Sequence, residues 1–113
     1  MREEIPSGTL DMLILRTIAR SAAQLHGFGI AEAIAGSSGG VFTVEEGSLY
    51  PALQRMLVQG WIIGEWGRTA DNRRARYYRV TASGRRQLER AVRSYTRVTR
   101  AIAAIMDLSP AQS

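Results

Sequence analysis

The chain has 113 residues, of which 45% are hydrophobic, 7% are aromatic and none is cysteine. A chain of this length forms one small domain with a modest core, and the lack of cysteine excludes disulfides, thiol chemistry and zinc sites built on thiolates. No apolar run is long enough to cross a bilayer and no signal segment is evident, so we expect a cytoplasmic protein.

The net charge of +5 is unevenly distributed along the chain. Residues 1–60 hold four arginines and six acidic residues, a balance of −2, whereas residues 61–113 hold eleven arginines and four acidic residues, a balance of +7. All fifteen basic residues are arginine, which suits bidentate contacts to phosphate or guanine, although a codon bias explains the absence of lysine equally well. The uneven charge predicts an anionic partner for the second half.

Apolar residues at helical spacing predict three short helices in the first sixty residues. The first runs from about Ser7 to Arg20. The second begins near Ile30, after a break at residues 26–29, and ends in the glycine-rich run at 36–40. The third runs from Glu45 to Gln59.

Pro51 lies within the third predicted helix, where it cannot donate a hydrogen bond to the carbonyl of Gly47. Two starts of this helix are compatible with the proline. A start near Glu45 places the missing bond on the exposed side of an early turn. A start nearer Ser48 makes Pro51 a first-turn residue, at a position where a backbone N–H would have no partner within the helix, so its absence does no harm.

Two strands follow, at about Trp61–Trp66 and Ala75–Val80, joined by the polar loop Gly67–Arg74. Three helices followed by a hairpin with a basic tip are typical of a winged helix-turn-helix, so residues 1–80 are predicted to form a DNA-binding domain. A solvated basic loop with structural tyrosines is the alternative interpretation of the hairpin.

A long last helix is predicted after Thr81, with arginines along the side opposite its apolar stripe. The helix extends beyond the winged domain, so its stripe needs a partner, and a second copy of the chain would supply one. Packing back on the same domain is the alternative. Residues 81–108 are thus predicted to be a dimerisation helix and 109–113 a tail. The fold class is mainly α (α+β). The stripe consists of Leu88, Val92, Tyr95, Thr99, Ile102 and Met106.

The exposed side of the third helix and the hairpin carry the candidate DNA contacts. Arg55 suits guanine or a phosphate, Gln54 suits adenine, and the hydroxyl groups suit phosphates. For Tyr50 the alternative is a ring lying half-buried against the hairpin. The candidates are Ser48, Tyr50, Gln54 and Arg55 in the third helix and Arg68, Arg73, Arg74 and Arg76 in the hairpin.

Catalytic and metal-binding patterns are missing from the sequence. His26 is the only histidine and has no second ligand at metal-binding spacing, so we expect it to form a structural hydrogen bond at the start of the second helix instead. No nucleophile motif or phosphate-binding glycine loop is present. We therefore expect neither enzyme activity nor a cofactor.

Several short motifs occur in order along the chain: His26-Gly27-Phe28 with Ile30, the run GSLYPAL at 47–53 with Arg55, Arg76-Tyr77-Tyr78, Val80-Thr81 and Gly84-Arg85. Together they resemble the PadR (phenolic-acid-decarboxylase-regulator) family of bacterial transcription factors. Residues 60–67 and 72–88 resemble the acidobacterial-type subgroup more closely. The resemblance implies a homodimer that binds a near-palindromic double-stranded DNA operator, usually as a repressor.

The resemblance also implies a candidate effector pocket, because ligand-binding members of the family use a cavity between the last and first helices of the dimer. Both tryptophans lie on the hairpin, so the drug-stacking aromatic residue of multidrug-binding members has no evident counterpart. The remaining alternative function is a basic interaction module that binds an acidic protein or RNA. The candidate pocket residues are Met12, Leu15, Tyr95, Val98, Thr99 and Ile102.

Overall fold

The computed structural model describes residues 7–108, which form four helices and one antiparallel sheet with strand order β1-β3-β2. The predicted fold class, mainly α with a β-hairpin wing, is confirmed. The predicted tail at 109–113 lies outside the described residues, and the predicted domain boundary at residue 80 stays a prediction. The elements are α1 (Ser7–Arg20), β1 (Leu25–His26), α2 (Gly27–Ser37), α3 (Glu46–Gln59), β2 (Ile62–Arg68), β3 (Arg74–Val80) and α4 (Ala82–Ile105).

One hydrophobic core joins all four helices to the base of the β2–β3 hairpin. Helical spacing brings one side chain per turn to the same face of α1, and these meet the apolar faces of α2 and α3. Each fully buried aliphatic side chain contributes about 1.5–3 kcal/mol relative to exposure. The most deeply buried large side chains are Ile14, Leu15, Ile30, Leu53, Met56 and Ile62.

The third helix begins at Glu46, so the predicted start near Glu45 is confirmed and the start near Ser48 is wrong. The carbonyl of Glu45 accepts hydrogen bonds from the N–H groups of Ser48 (3.0 Å) and Leu49 (2.9 Å). Because the helix starts this early, Pro51 lies inside it. Both Pro51 and Gly47 are exposed, so the carbonyl that the proline leaves without an N–H donor faces solvent.

The second helix begins at Gly27, three residues before the predicted start, and the predicted break at residues 26–29 is wrong. His26 acts as the N-cap, because its Nδ1 accepts a hydrogen bond from the N–H of Gly29 at 3.1 Å. The preceding pair Leu25–His26 forms a strand that the sequence did not predict, paired with Tyr78 and Tyr77 of β3. This pairing ties the start of α2 to the hairpin.

Thr81 fixes the start of α4 against the end of α3. Its hydroxyl accepts a hydrogen bond from the N–H of Gly84 (3.0 Å) and donates one to the carbonyl of Gly60 (2.6 Å). Its backbone N–H donates to the carbonyl of Trp61 at 3.0 Å. Gly84 is buried, and a Cβ at this position would overlap the Trp61 carbonyl.

Gly84→Ala should lower the free energy of unfolding by about 1–3 kcal/mol, because the added methyl group forces the backbone of Trp61 away. The measurement is urea denaturation followed by circular dichroism. Gly36→Ala is the control: it is an exposed position in α2 with open space around the added Cβ. Alanine should be neutral or stabilising there, by up to about 1 kcal/mol. Equal stabilities of the two variants would contradict the proposed overlap.

Candidate nucleic-acid interface

The wing consists of β2, β3 and the loop Thr69–Arg73 that joins them. Residues directly opposite each other in an antiparallel pair lie on the same face. The pairing of Trp66 with Arg76, and of Arg68 with Arg74, puts all four on one face of the hairpin. Buried Ile62 and Tyr78 lie on that same face nearer its base. The inner face of the wing is therefore apolar at its base and cationic toward its tip.

Trp66 holds two of the three inner-face arginines, Arg74 and Arg76, in place. The guanidinium carbon of Arg74 lies 4.3 Å from the centre of a Trp66 ring, and that of Arg76 lies 5.8 Å away. Contacts of this kind at exposed sites contribute about 0.5–1 kcal/mol each. Arg76 also runs along Gly64, and its Nε is buried with no hydrogen-bond partner among the described residues. The terminal groups of both arginines are thus positioned before any ligand arrives.

The tip of the wing is closed by hydrogen bonds within the loop. The N–H of Thr69 donates to the carbonyl of Arg73 (2.9 Å), and the N–H of Asn72 donates to the carbonyl of Thr69 (2.9 Å). Asn72 has a positive φ of 63°, which asparagine tolerates better than most residues. Arg68 donates from Nη1 to the Asn72 carbonyl at 3.1 Å, so this predicted DNA contact also supports the loop.

A cleft of about 760 Å³ lies between the inner face of the wing and the starts of α2 and α3. We call it the wing cleft. Tyr50 of α3 lines it, with its ring beside Gly27 of α2; a Cβ on Gly27 would be 2.8 Å from the tyrosine hydroxyl. Its other lining residues include Phe28, Trp66, Arg73, Arg74, Arg76 and Tyr78.

The phenol of Tyr78 at the base of the wing cleft stays neutral at ordinary pH. Burial raises its pKa above the usual value of 10.0, while Arg76 lowers this pKa and Tyr50 raises it further. A neutral hydroxyl adds no negative charge to a cleft whose lining includes three arginines and one acidic residue, Asp71.

The four predicted contacts on α3, namely Ser48, Tyr50, Gln54 and Arg55, are all exposed. Only Tyr50 lines the wing cleft, and its ring lies against α2. Arg55 points toward α1, where its Nη2 donates to Oδ1 of Asp11 at 2.9 Å. The exposed side of α3 therefore presents one aromatic ring and one arginine that is already paired.

Two exposed residues of the wing cleft were missed in the sequence. The side chain of Phe28 is 66% exposed and stacks on His26 with 6.4 Å between ring centres. That of Trp66 is 61% exposed. A helical wheel of α2 would have separated Phe28 from the buried pair Ile30 and Ile34. Strand alternation would have placed Trp66 on the same face as the arginines.

The outer face of the wing carries a different ion pair. Arg79 donates to Oε1 of Glu65 from Nη2 (2.8 Å) and from Nε (3.1 Å), and both side chains are about half exposed. Tyr77 on the same face donates from its hydroxyl to the Arg68 carbonyl at 3.1 Å. The arginine on this face is paired with a carboxylate, whereas none of the three arginines on the inner face forms an ion pair with another residue of the range 7–108.

The predicted dimerisation stripe of α4 divides into two parts. Leu88 is buried in the core of its own chain and Val92 packs against that core, so these two are not available to a partner. Tyr95, Ile102 and Met106 are exposed, and Thr99 is half-buried.

The predicted effector residues divide in the same way. Leu15 is fully buried in the core and Met12 is half-buried against it. Tyr95, Val98 and Ile102 are exposed on α4. Leu15 is therefore a core residue in this chain, contrary to the prediction that it lines a ligand cavity.

Within residues 7–108 no group of three histidine, aspartate or glutamate side chains could hold a metal ion. None of the four helices in this range is long and apolar enough to span a membrane.

Residues 14–90, well over half of the chain, match the profile of the Transcriptional regulator PadR-like family. The chain belongs to the PadR-like family. A relative from Lysinibacillus sphaericus, described as an uncharacterized protein, is 29% identical over 107 residues, which cover 95% of this chain and 96% of the relative. The predicted family resemblance is confirmed.

Solved structures share the fold. A PadR-like transcriptional regulator from Bacillus cereus superposes with a TM-score of 0.74 and is 25% identical; the match covers 90% of this chain and 95% of that one. A transcriptional regulator from Clostridium thermocellum gives a TM-score of 0.76 at 23% identity, with 86% and 92% of the two chains covered. As a member of the PadR-like family, the protein is a DNA-binding transcriptional regulator.

Trp66→Ala should lower the affinity for duplex DNA by about threefold to tenfold, because Arg74 and Arg76 lose the ring that holds them. Fluorescence anisotropy with a labelled duplex at fixed salt measures the change. Ile63→Ala, an exposed apolar truncation on the opposite face of the same strand, is the matched control. If both variants bind as tightly as the wild type, the ring does not organise the arginines for DNA.

Proposed function

We propose that this PadR-like regulator is a homodimeric repressor that binds a near-palindromic operator, with one α3 in the major groove of each half-site. The observation that carries the proposal is the wing cleft, where Tyr50 and Phe28 face Arg74 and Arg76 across a concave surface. Arginines held beside Trp66 on the wing, with two further aromatic rings on the facing wall, suit a sugar-phosphate backbone.

The arginines of the wing have the role of binding phosphates. Arg73 and Arg74 are exposed beside the closed tip, and Arg76 is held along Gly64. Each phosphate contact releases counterions, so binding through the wing is salt-dependent and independent of sequence. Arg68 adds its remaining donors near the same loop.

The exposed residues of α3 have the role of reading bases. Ser48, Gln54 and Arg55 are exposed on this helix, and its buried side is fixed by Leu49, Leu53 and Met56 in the core. Gln54 suits adenine and Arg55 suits guanine, while Ser48 and the Tyr50 hydroxyl suit phosphates beside the groove.

The exposed half of the α4 stripe supports the homodimer. Val98 and Ile102 are about half exposed, and Ile105 and Met106 more so. Contiguous apolar surface of this kind on a helix is typical of a protein–protein contact. A second copy of α4 would cover it, with the arginines of the opposite side left in solvent.

Three finer features are part of the proposal. Residues 60–67 and 72–88 support membership of the acidobacterial-type subgroup. A regulator that acts on chromosomal DNA works in the cytoplasm and needs no catalytic group. In a dimer, Met12 and the exposed residues Tyr95, Val98 and Ile102 would line any effector pocket.

Selection of bound sequences from random duplexes, followed by footprinting, tests the proposal. We expect a two-fold symmetric site protected by a dimer at micromolar protein concentration. Random duplex and single-stranded RNA are the competitors. Equal binding of all three nucleic acids would exclude an operator, and preferential binding of RNA would assign the protein to RNA instead.

Tyr50→Ala should weaken operator binding more than binding to random duplex, whereas Arg73→Ala should weaken both. The expected loss for Arg73→Ala includes a decrease of about 0.9 in the slope of log affinity against log salt. Titrations at several salt concentrations measure both effects. Arg97→Ala on α4 is the control for the loss of one exposed arginine. An unchanged salt slope for Arg73→Ala would exclude a phosphate contact.

Ile102→Glu should raise the dissociation constant of the dimer by about tenfold or more, because it buries an unpaired carboxylate in the interface. Sedimentation equilibrium measures this constant. Arg100→Glu, an exposed charge change on the same helix, should change it far less. A wild-type protein that is monomeric under these conditions would contradict the homodimer.

A further inference from the structure

One ion pair joins α1 directly to the exposed side of α3. Nη2 of Arg55 lies 2.9 Å from Oδ1 of Asp11, although the two residues are 44 positions apart in the sequence. The side chain of Arg55 is 49% exposed and that of Asp11 only 20% exposed. The carboxylate is thus the more fixed member of the pair, and it fixes the position of the guanidinium.

Stability does not explain a carboxylate at this position. Because the Arg55 end of the pair is about half exposed, solvent screening keeps the contribution of the pair to the free energy of folding small. A negative charge beside a DNA-binding helix also repels the phosphate backbone. Asp11 therefore lowers the general attraction of this surface for DNA, and its benefit must lie elsewhere.

The pairing leaves Arg55 able to bind a base. Arginine has five N–H donors in a planar fork, and no donor of Arg55 other than Nη2 forms a hydrogen bond to another residue in the range 7–108. Because one end of the fork is held, fewer rotamers are lost when the free donors reach a guanine. The nearby carboxylate also offsets the charge that would otherwise draw Arg55 to any phosphate.

We propose that Asp11 is a positioning residue that determines sequence specificity: it directs Arg55 toward a base edge and suppresses its use as a general phosphate contact. This inference rests on the proposed function, in which α3 enters the major groove. It assigns α1 a part in recognition, beyond its place in the core.

The test compares Asp11→Asn with Glu65→Gln. Both substitutions remove one negative charge and break one ion pair of similar length, 2.9 Å and 2.8 Å respectively, and Asp11 is the less exposed of the two carboxylates. Only the Asp11–Arg55 pair includes a residue of α3. The probes are the operator selected by the wild-type protein and a random duplex of equal length, and thermal melting verifies that each variant is folded.

For Asp11→Asn we expect tighter binding to random duplex and a steeper salt slope there, by up to about 0.9, because Arg55 becomes free to contact phosphate. The ratio of operator affinity to random-duplex affinity should decrease by about tenfold. Glu65→Gln should change both affinities by a similar factor and leave the ratio unchanged. Asp11→Glu, which keeps the charge, should recover part of the lost ratio.

A double-mutant cycle separates positioning from a structural effect. Arg55→Gln alone should also lower the affinity ratio, and adding Asp11→Asn to it should lower the ratio no further. The inference is overturned if Asp11→Asn leaves the ratio unchanged, or if it lowers the ratio equally when Arg55 is absent. A wild-type protein that selects no sequence contradicts the proposed function itself, which is a separate outcome.

Discussion

The junction at Thr81 determines how the helices and the wing are arranged. The Thr81 hydroxyl donates to the Gly60 carbonyl, just after α3, and accepts from the Gly84 N–H in the first turn of α4. The hydrogen bond from the Thr81 N–H to the Trp61 carbonyl closes the base of the hairpin. Gly84 lets the two segments approach to backbone contact. Since β2 leaves this junction and β3 returns to it, the junction holds the base of the wing against the end of α3.

Charge placement divides the surface into parts with different roles. On the inner face of the wing, Arg74 and Arg76 are held by an aromatic ring, which restrains them without neutralising them. Arg55 and Arg79 are held by carboxylates, which restrain them and cancel much of their charge. An arginine of the first kind attracts any phosphate, while one of the second kind requires a partner that offers directional acceptors.

Much of the fold could be predicted because its signals are local. Helical periodicity gave α1 and α3 almost to the residue, and a threonine cap gave the start of α4. The features that were missed depend on residues distant in the sequence. Strand β1 has two residues and pairs with residues more than fifty positions away. The start of α2 depends on a histidine in an uncommon capping role, which propensity alone does not indicate.

The candidate site was harder to predict than the fold for the same reason. Exposure of the α3 residues follows from periodicity, but the pairing of Arg55 with Asp11 requires the crossing of two helices to be known. The apolar stripe of α4 shows that a surface needs cover but not which chain covers it. Leu88 is covered by its own chain, whereas Ile102 is left exposed.

This division of α4 links the geometry of the protein to that of its operator. Because Leu88 lies in the core and Val92 packs against it, the first part of each α4 is attached to α1 and β3 of its own chain, and only the more distal stripe is free to pair in the proposed dimer. A slip of one helical turn between paired helices moves one winged domain about 5.4 Å relative to the other. Along a duplex that shift corresponds to about one and a half base pairs. In the proposed dimer, the spacing of the half-sites would therefore depend on the register in which the two helices pair.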